Sequence, residues 1–198
     1  MIEPSKIFGR MANRMFQGAY LYTQMREGNI PDIYVQDYSL FEKYEGEIKT
    51  LYGEGIGFLP YVAIHVRRGD YITKHSDFYV NVCDTDYYEK AIALFPNKNF
   101  LVFCKDGQGE EQDEKDKQWC IDYFTPLLGD RFQFMSTNDQ IEDFNMMASC
   151  EHVVTANSTY SWWAAFLCPN LGKKVVTPKQ WFKDGIERCK LPTSWIKI

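Results

Sequence analysis

Arg67 and Arg68 stand side by side in "AIHVRRGDYI" (63–72), behind an apolar run that ends in His65 and ahead of Gly69 and Asp70. Arginine presents a planar fork of donors that matches phosphate oxygens, and its charge does not titrate away. Two such groups on a strand-to-loop turn suit a pyrophosphate. A second polar cluster, Asn157, Ser158, Thr159 and Ser161, lies in "ANSTYS". It sets hydroxyls and backbone N–H groups at an expected helix N-terminus, which is an anion site by geometry and dipole. Asp106, in "FCKDG", offers an acceptor for ribose hydroxyls or a base edge. Together these describe a nucleotide-diphosphate pocket without a metal ion. Each feature also has a plainer reading. Arg68 and Asp70 would make a surface ion pair, the serine cluster an N-cap worth about 1 kcal/mol, and Asp106 the opening of a turn. Three clusters on one predicted rim favour chemistry.

That rim depends on the elements that carry the clusters. "YVAIHV" (61–66) is apolar nearly throughout, as a central parallel strand covered on both faces would be. Further strands are expected at 99–104, 131–135, 152–157 and 173–178, and helices at 85–95, 116–124, 141–150 and 159–167. This strict alternation predicts an α/β fold, a Rossmann-like parallel sheet with helices on both faces. Such sheets bind ligands beyond the carboxyl ends of their strands, where all three clusters fall. Upstream, an amphipathic helix is expected over 13–28 and another over 40–53, with strand-like scraps at "KIFG" and "IYV". The glycine-rich "GEGIGFLP" (53–60) reads as a linker, which divides the chain into a small N-terminal subdomain (1–58) and a Rossmann-like nucleotide-binding domain (59–198). The acidic "GQGEEQDEKDK" (107–117) reads as a solvated loop.

Composition narrows the function classes. With 198 residues, 45% hydrophobic and 16% aromatic, the chain can bury a sizeable core. A net charge of −5 opposes a nucleic-acid partner. No apolar run approaches the roughly 18 residues of a membrane span, and the N-terminus has no apolar signal core, so a soluble, cytoplasmic chain is expected. The six cysteines form no C-x-x-C pair, which predicts reduced, buried thiols rather than a zinc or disulfide framework. Four motifs are set aside. The D-x-D at 84–86 precedes "YYEKAI" and reads as helix capping. "GEGIGF" opens no helix, "RGD" sits at a strand end, and the "NST" sequon is idle without secretion.

"HVRRGDY" resembles the H-x-R-R-G-D-Y turn of the α-1,2-fucosyltransferase family. Other segments match in family order: "GRMANRMFQGAYLY" resembles the N-terminal G-x-x-x-N-Q-M-F-Q element, "DTDYYEKAI" the helix after the arginine turn, and "ANSTYSWWAAFLCPN" the serine-rich S-W-W element. "YVQDYSLFEKY", "VVTPKQWF" and "LPTSWIKI" match as well, so the resemblance spans nearly the whole chain. It implies a GT-B-like, metal-independent, inverting enzyme that needs no cofactor. The reaction would move L-fucose from GDP-β-L-fucose to a glycan acceptor, typically the 2-hydroxyl of a β-galactoside. Carried over by position, Arg67 holds the pyrophosphate, Arg68 supports it, and His65 sits by the nucleotide. Asp106 falls where a carboxylate recognises guanosine, Ser158, Thr159 and Ser161 where phosphates are held, and Asn13 on the cleft wall opposite. Asp70 and His65 are the candidate proton acceptors. Departures are Arg10, Ala12 and Arg14 in the N-terminal element, a single carboxylate in "FCKDG", and a short connection from Gly28 to "IYVQDY" where relatives insert further elements. That pared-down half motivates two alternatives: a binding module for a nucleotide sugar or glycan, or a transferase of a different sugar.

Overall fold

A computed structural model describes residues 11–27, 36–104, 109–137 and 139–198. Among them six strands form one fully parallel sheet: β1 (Leu59–His65), β2 (Phe100–Phe103), β3 (Phe132–Met135), β4 (Cys150–Val154), β5 (Val175–Thr177) and β6 (Ile196–Lys197). Their order is β3-β2-β1-β4-β5-β6, so the chain runs outward in one direction from β1 and then crosses to β4 and runs outward in the other. In register, Ala63 lies beside Leu101 on β2 and Val153 on β4. Because side chains alternate across a strand, Ala63, Leu101, Val153 and Val175 enter one core and Val62, Ile64, Val102 and Val176 the other. Both faces of the central strands are therefore apolar, as the unbroken hydrophobic run over 61–66 requires.

The second face is covered by α4 (Tyr87–Ala93) and α5 (Glu110–Leu128), which bury Tyr88, Ala91, Cys120 and Phe124. The first face carries α6 (Gln140–Ser149) and α7 (Thr159–Leu167), with α1 (Met11–Glu27) and α2 (Glu45–Tyr52) packed over α7. Helix α7 is thus enclosed on all sides, which explains why "SWWAAFL" has no polar stripe. Trp163 stacks on Phe41 with ring centroids 5.7 Å apart, and presents edges to Phe16 and Tyr52. Trp162 lies against Phe16 at 4.6 Å and Trp195 at 5.5 Å. At its C-terminal end, Lys173 donates to the carbonyls of Ala165, Phe166 and Cys168 at 2.6–3.1 Å, closing groups the helix leaves open. The helices ahead of β1 and the sheet accordingly share one core.

The parallel α/β expectation holds, with local differences. Residues 110–117, expected as solvated loop, form the first turns of α5. Glu110, Glu111 and Asp113 sit where a helix N-terminus favours negative charge, and the segment's lack of apolar residues hid it. Strand β6 is two residues long, too short for a periodic signal. The scraps "KIFG" and "IYV" lie outside the described residues. The D-x-D does open a helix: the Thr85 hydroxyl accepts from the Tyr87 N–H, and Asp86 pairs with Lys90. All six cysteines are buried free thiols. Among the described residues no helix is long and apolar enough to cross a membrane.

Removing the Trp163 ring empties the contact between α7 and the N-terminal helices. Trp163→Ala is expected to cost about 3–5 kcal/mol in urea unfolding and to open residues 11–52 to limited proteolysis before the sheet.

Candidate active site

The site begins where β1 ends. Val66 still donates to the Phe103 carbonyl, and the chain then turns at Gly69, whose φ of +28° suits the only residue type without a Cβ. A short helix, α3 (Gly69–Ile72), follows. From this turn the two arginine side chains leave in opposite directions. Arg68 reaches behind the sheet to α5, where its Nε donates to Asp116 at 3.0 Å and its guanidinium lies 4.5 Å from the Trp119 ring. Asp116 is 1% exposed and also accepts from the Gly69 N–H and Gln112. Arg68 therefore does not line the cavity, contrary to the paired grip expected from the sequence. Its support for Arg67 is indirect, through the turn they share.

Arg67 points the other way, into a cavity of about 300 Å³ beyond the carboxyl ends of β1 and β4. This is the point where the strand order reverses, the place at which open parallel sheets bind ligands. Its guanidinium forms an ion pair with Asp70 and lies 5.0 Å from the Tyr71 ring. Both partners are largely shielded from water, with side-chain exposures of 10% and 11%. Tyr71 stacks on Tyr79 at 3.9 Å, and its hydroxyl donates to the Asn157 carbonyl, tying the β1 turn to the loop after β4.

That loop supplies the opposite wall. Ser158 occupies the N-cap of α7 with extended backbone and no side-chain capping bond among the described residues. Ser158, Thr159 and Tyr160 all line the cavity, so the partial positive charge of the helix start faces it. The Thr159 hydroxyl donates to Asn13 Oδ1 at 2.9 Å, and Gln36 donates to the same oxygen, which brings α1 to the rim. Asn157 lines the cavity, yet its amide nitrogen is committed to the carbonyls of Val80 and Trp181. Ser161 is fully buried and donates to the Ser158 carbonyl at 3.3 Å; two residues along the helix from Thr159, it faces the core and not the cavity. Asp106 lies outside the described residues.

His65 is 4% exposed at the cavity floor, 5.5 Å from the Tyr160 ring. Burial, aided by the Arg67 charge, pushes its imidazole down to about 3, so it is neutral at physiological pH. The cavity also contains residues that the sequence reading left unassigned: His75, Tyr79, Gln140, Trp181 and Phe182. Two signals could have found them. Tyr71, His75 and Tyr79 recur every four residues, which places three rings on one side of a turning segment. Trp181 and Phe182 follow β5 and so sit beyond a carboxyl end like the other clusters. The arrangement combines one oriented cation, a helix N-terminus, a neutral imidazole and an aromatic wall, a set suited to an anionic group attached to a sugar.

Comparison with known proteins agrees with this chemistry. A model of the family described as glycosyl transferase family 11 matches residues 12–198. The chain is similar to the O-antigen biosynthesis glycosyltransferase WbnK of Escherichia coli, 35% identical over 144 residues, covering 69% of this chain and 44% of that protein. It is 28% identical over 148 residues to an alpha-1,2-colitosyltransferase of Escherichia coli, covering 69% of this chain and 47% of the relative. To galactoside alpha-(1,2)-fucosyltransferase 1 of Rattus norvegicus it is 28% identical over 121 residues, 57% of this chain and 29% of the relative. The chain spans less than half the length of these relatives, and no solved structure matches it. With the family model extending over nearly all of its residues, the chain belongs to glycosyl transferase family 11.

Proposed function

We propose that this protein is an inverting glycosyltransferase that moves L-fucose from GDP-β-L-fucose to a hydroxyl of a glycan acceptor, the 2-hydroxyl of a β-galactoside. The observation that carries this reading is the convergence of Arg67 and the start of α7 on one cavity at the switch point of the sheet. As the bond to GDP breaks, negative charge grows on the β-phosphate while the sugar gains oxocarbenium character. Fixed donors aimed at that charge lower the barrier. Arg67 supplies the cation, and the Ser158 and Thr159 region supplies hydroxyls and N–H groups, so the reaction needs no resident metal. Neutral His65 is placed to hydrogen-bond the donor without adding charge. Asp106 holds the guanosine in this reading, as family position implies.

Support for the donor comes from the relatives, which include fucosyl- and colitosyltransferases. The colitosyltransferase favours a second donor reading, the transfer of a different sugar. A non-catalytic module that binds a nucleotide sugar or a glycan is a further alternative, motivated by the short connection from Gly28 to "IYVQDY". Calorimetric titration with GDP followed by a GDP-fucose transfer assay on a glycan array separates these readings. Saturable GDP binding with a fucosylated β-galactoside product is expected; binding without any product would support the module, and absence of GDP binding would remove the donor assignment.

The two arginines should fail in different ways. Arg67→Ala is expected to lower transfer by about 100- to 1,000-fold while the protein still unfolds cooperatively. Arg68→Ala leaves the buried Asp116 charge without its cation and should instead lower unfolding free energy by about 3 kcal/mol, read in urea titrations.

His65 gives stability a pH dependence of known sign. Its folded-state pKa lies below the ordinary 6.5, so its contribution is complete above that value. As pH falls towards 3, the unfolded chain binds a proton that the native state refuses. Stability should drop by about 1.4 kcal/mol per pH unit across that window. Urea unfolding at pH 6, 5 and 4 should show a steeper loss for the wild type than for His65→Gln.

A further inference from the structure

Inversion by a single displacement needs a proton acceptor for the attacking hydroxyl, placed away from the departing diphosphate. Among the described residues, six that line the cavity carry a group able to accept a proton in principle: His65, Asp70, Tyr71, His75, Tyr79 and Tyr160. His65 is a poor acceptor, because burial and the neighbouring Arg67 strongly disfavour its protonated form. Asp70 is committed to Arg67 in an ion pair, and protonating it would leave a shielded guanidinium without its counter-charge. Burial pushes the Tyr71, Tyr79 and Tyr160 phenols up, so all three keep their protons at neutral pH. The N-terminal residues on the cavity wall, Met11, Ala12, Asn13 and Gln36, include no carboxylate.

We infer that His75 is the proton acceptor of the transfer reaction. It is the exposed titratable group on the cavity rim, and among the described residues its imidazole makes no side-chain hydrogen bond or ion pair. Backbone bonds nevertheless fix its position. Its N–H donates to the Asp70 carbonyl at 2.8 Å, and its own carbonyl accepts from the Phe78 and Tyr79 N–H groups at 3.0 and 3.1 Å. Its ring meets Tyr79 edge to face at 6.3 Å. The other ionisable groups that line the same cavity are Arg67, Asp70, Tyr71 and Tyr79 on its own segment and His65 and Tyr160 on the other walls, with Lys74 and Asp77 close by in sequence. Arg188, outside the cavity lining, lies over the Phe78 and Phe182 rings and is paired with Asp184. An imidazole suits the task because its ring nitrogen is the side-chain group most often used as a general base.

This assignment rests on the glycosyltransferase reading above. In the step, the acceptor oxygen forms a bond to the anomeric carbon as the bond from that carbon to the β-phosphate oxygen breaks, its electron pair leaving with GDP. The hydroxyl proton passes to an imidazole nitrogen of His75, which later returns it to water.

Transfer from GDP-fucose to lactose, followed from pH 5 to 9 for wild type, His75→Gln and His75→Glu, tests the assignment beside calorimetric GDP titration of each protein. Expected are a fall in kcat of about 100-fold for His75→Gln, GDP affinity within threefold of wild type, and loss of the acid limb of the kcat profile. His75→Glu should restore part of kcat, with the limb moved to lower pH. A His75→Gln enzyme within threefold of wild-type kcat, with the acid limb unchanged, overturns the role of His75 and leaves the reaction standing. Wild-type protein that transfers nothing overturns the reaction and the base with it.

Discussion

The ion pair between Arg68 and the buried carboxylate of Asp116 governs the site although neither residue touches it. Asp116 is 1% exposed and receives three donors: Arg68, the Gly69 N–H and Gln112. Leaving that charge inside the protein without them would cost several kcal/mol, so the carboxylate locks the turn after β1 onto α5. Gly69 can follow because its backbone enters the positive-φ region at little cost. With Arg68 held behind the sheet, Arg67 is the arginine of the turn that lines the cavity. The adjacent arginines thus divide the work of a single motif: one secures the scaffold and the other presents charge.

A second constraint acts from the opposite wall. Helix α7 must be apolar along its length to sit between the sheet and the helices α1 and α2, yet its first turn must be polar to face the cavity. The sequence meets both demands within nine residues. Ser158 and Thr159 lie at the start that faces the cavity, and Trp162, Trp163 and Phe166 fill the enclosed remainder. Packing therefore aims the helix start. The Asn13 contact to Thr159 joins the N-terminal helix to the same rim, so its position is coupled to that of the α7 N-terminus.

Much of this was legible in the residues, and the failures share a cause. Strand positions, the parallel sheet and the convergence of 65–70 with 157–161 follow from apolar runs and from the carboxyl-end rule, because burial on two faces leaves a continuous hydrophobic signal. Orientation within a cluster leaves no such signal. Arg67 and Arg68 are chemically identical, and only the location of Asp116 distinguishes them; that aspartate sat in a segment whose composition reads as solvated loop. Ser161 follows the same logic, since two residues of helix turn it from the cavity towards the core. Trp181 and Phe182 lie in irregular chain, where no periodicity announces which side a residue faces, and the four-residue recurrence of Tyr71, His75 and Tyr79 falls on a segment with no long helix to give it a face.

The charge balance of the cavity bears on how an acidic chain would hold the proposed anionic donor. Arg67 is paired with Asp70 and His65 is neutral, so the described wall carries little net charge, and the chain as a whole carries −5. Long-range attraction therefore contributes little to capture. What remains is short-range: a guanidinium already oriented by its carboxylate and by the Tyr71 ring, and helix N–H groups that cannot bond within their own helix. Such groups gain strength as a ligand displaces water and the local dielectric falls. In the proposed transfer they would pay little reorganisation when charge moves onto the leaving phosphate, which is where preorganised donors act most. A protonated His65 would instead crowd a second cation against Arg67 in a buried site. Keeping the imidazole neutral spares the Arg67–Asp70 pair that repulsion.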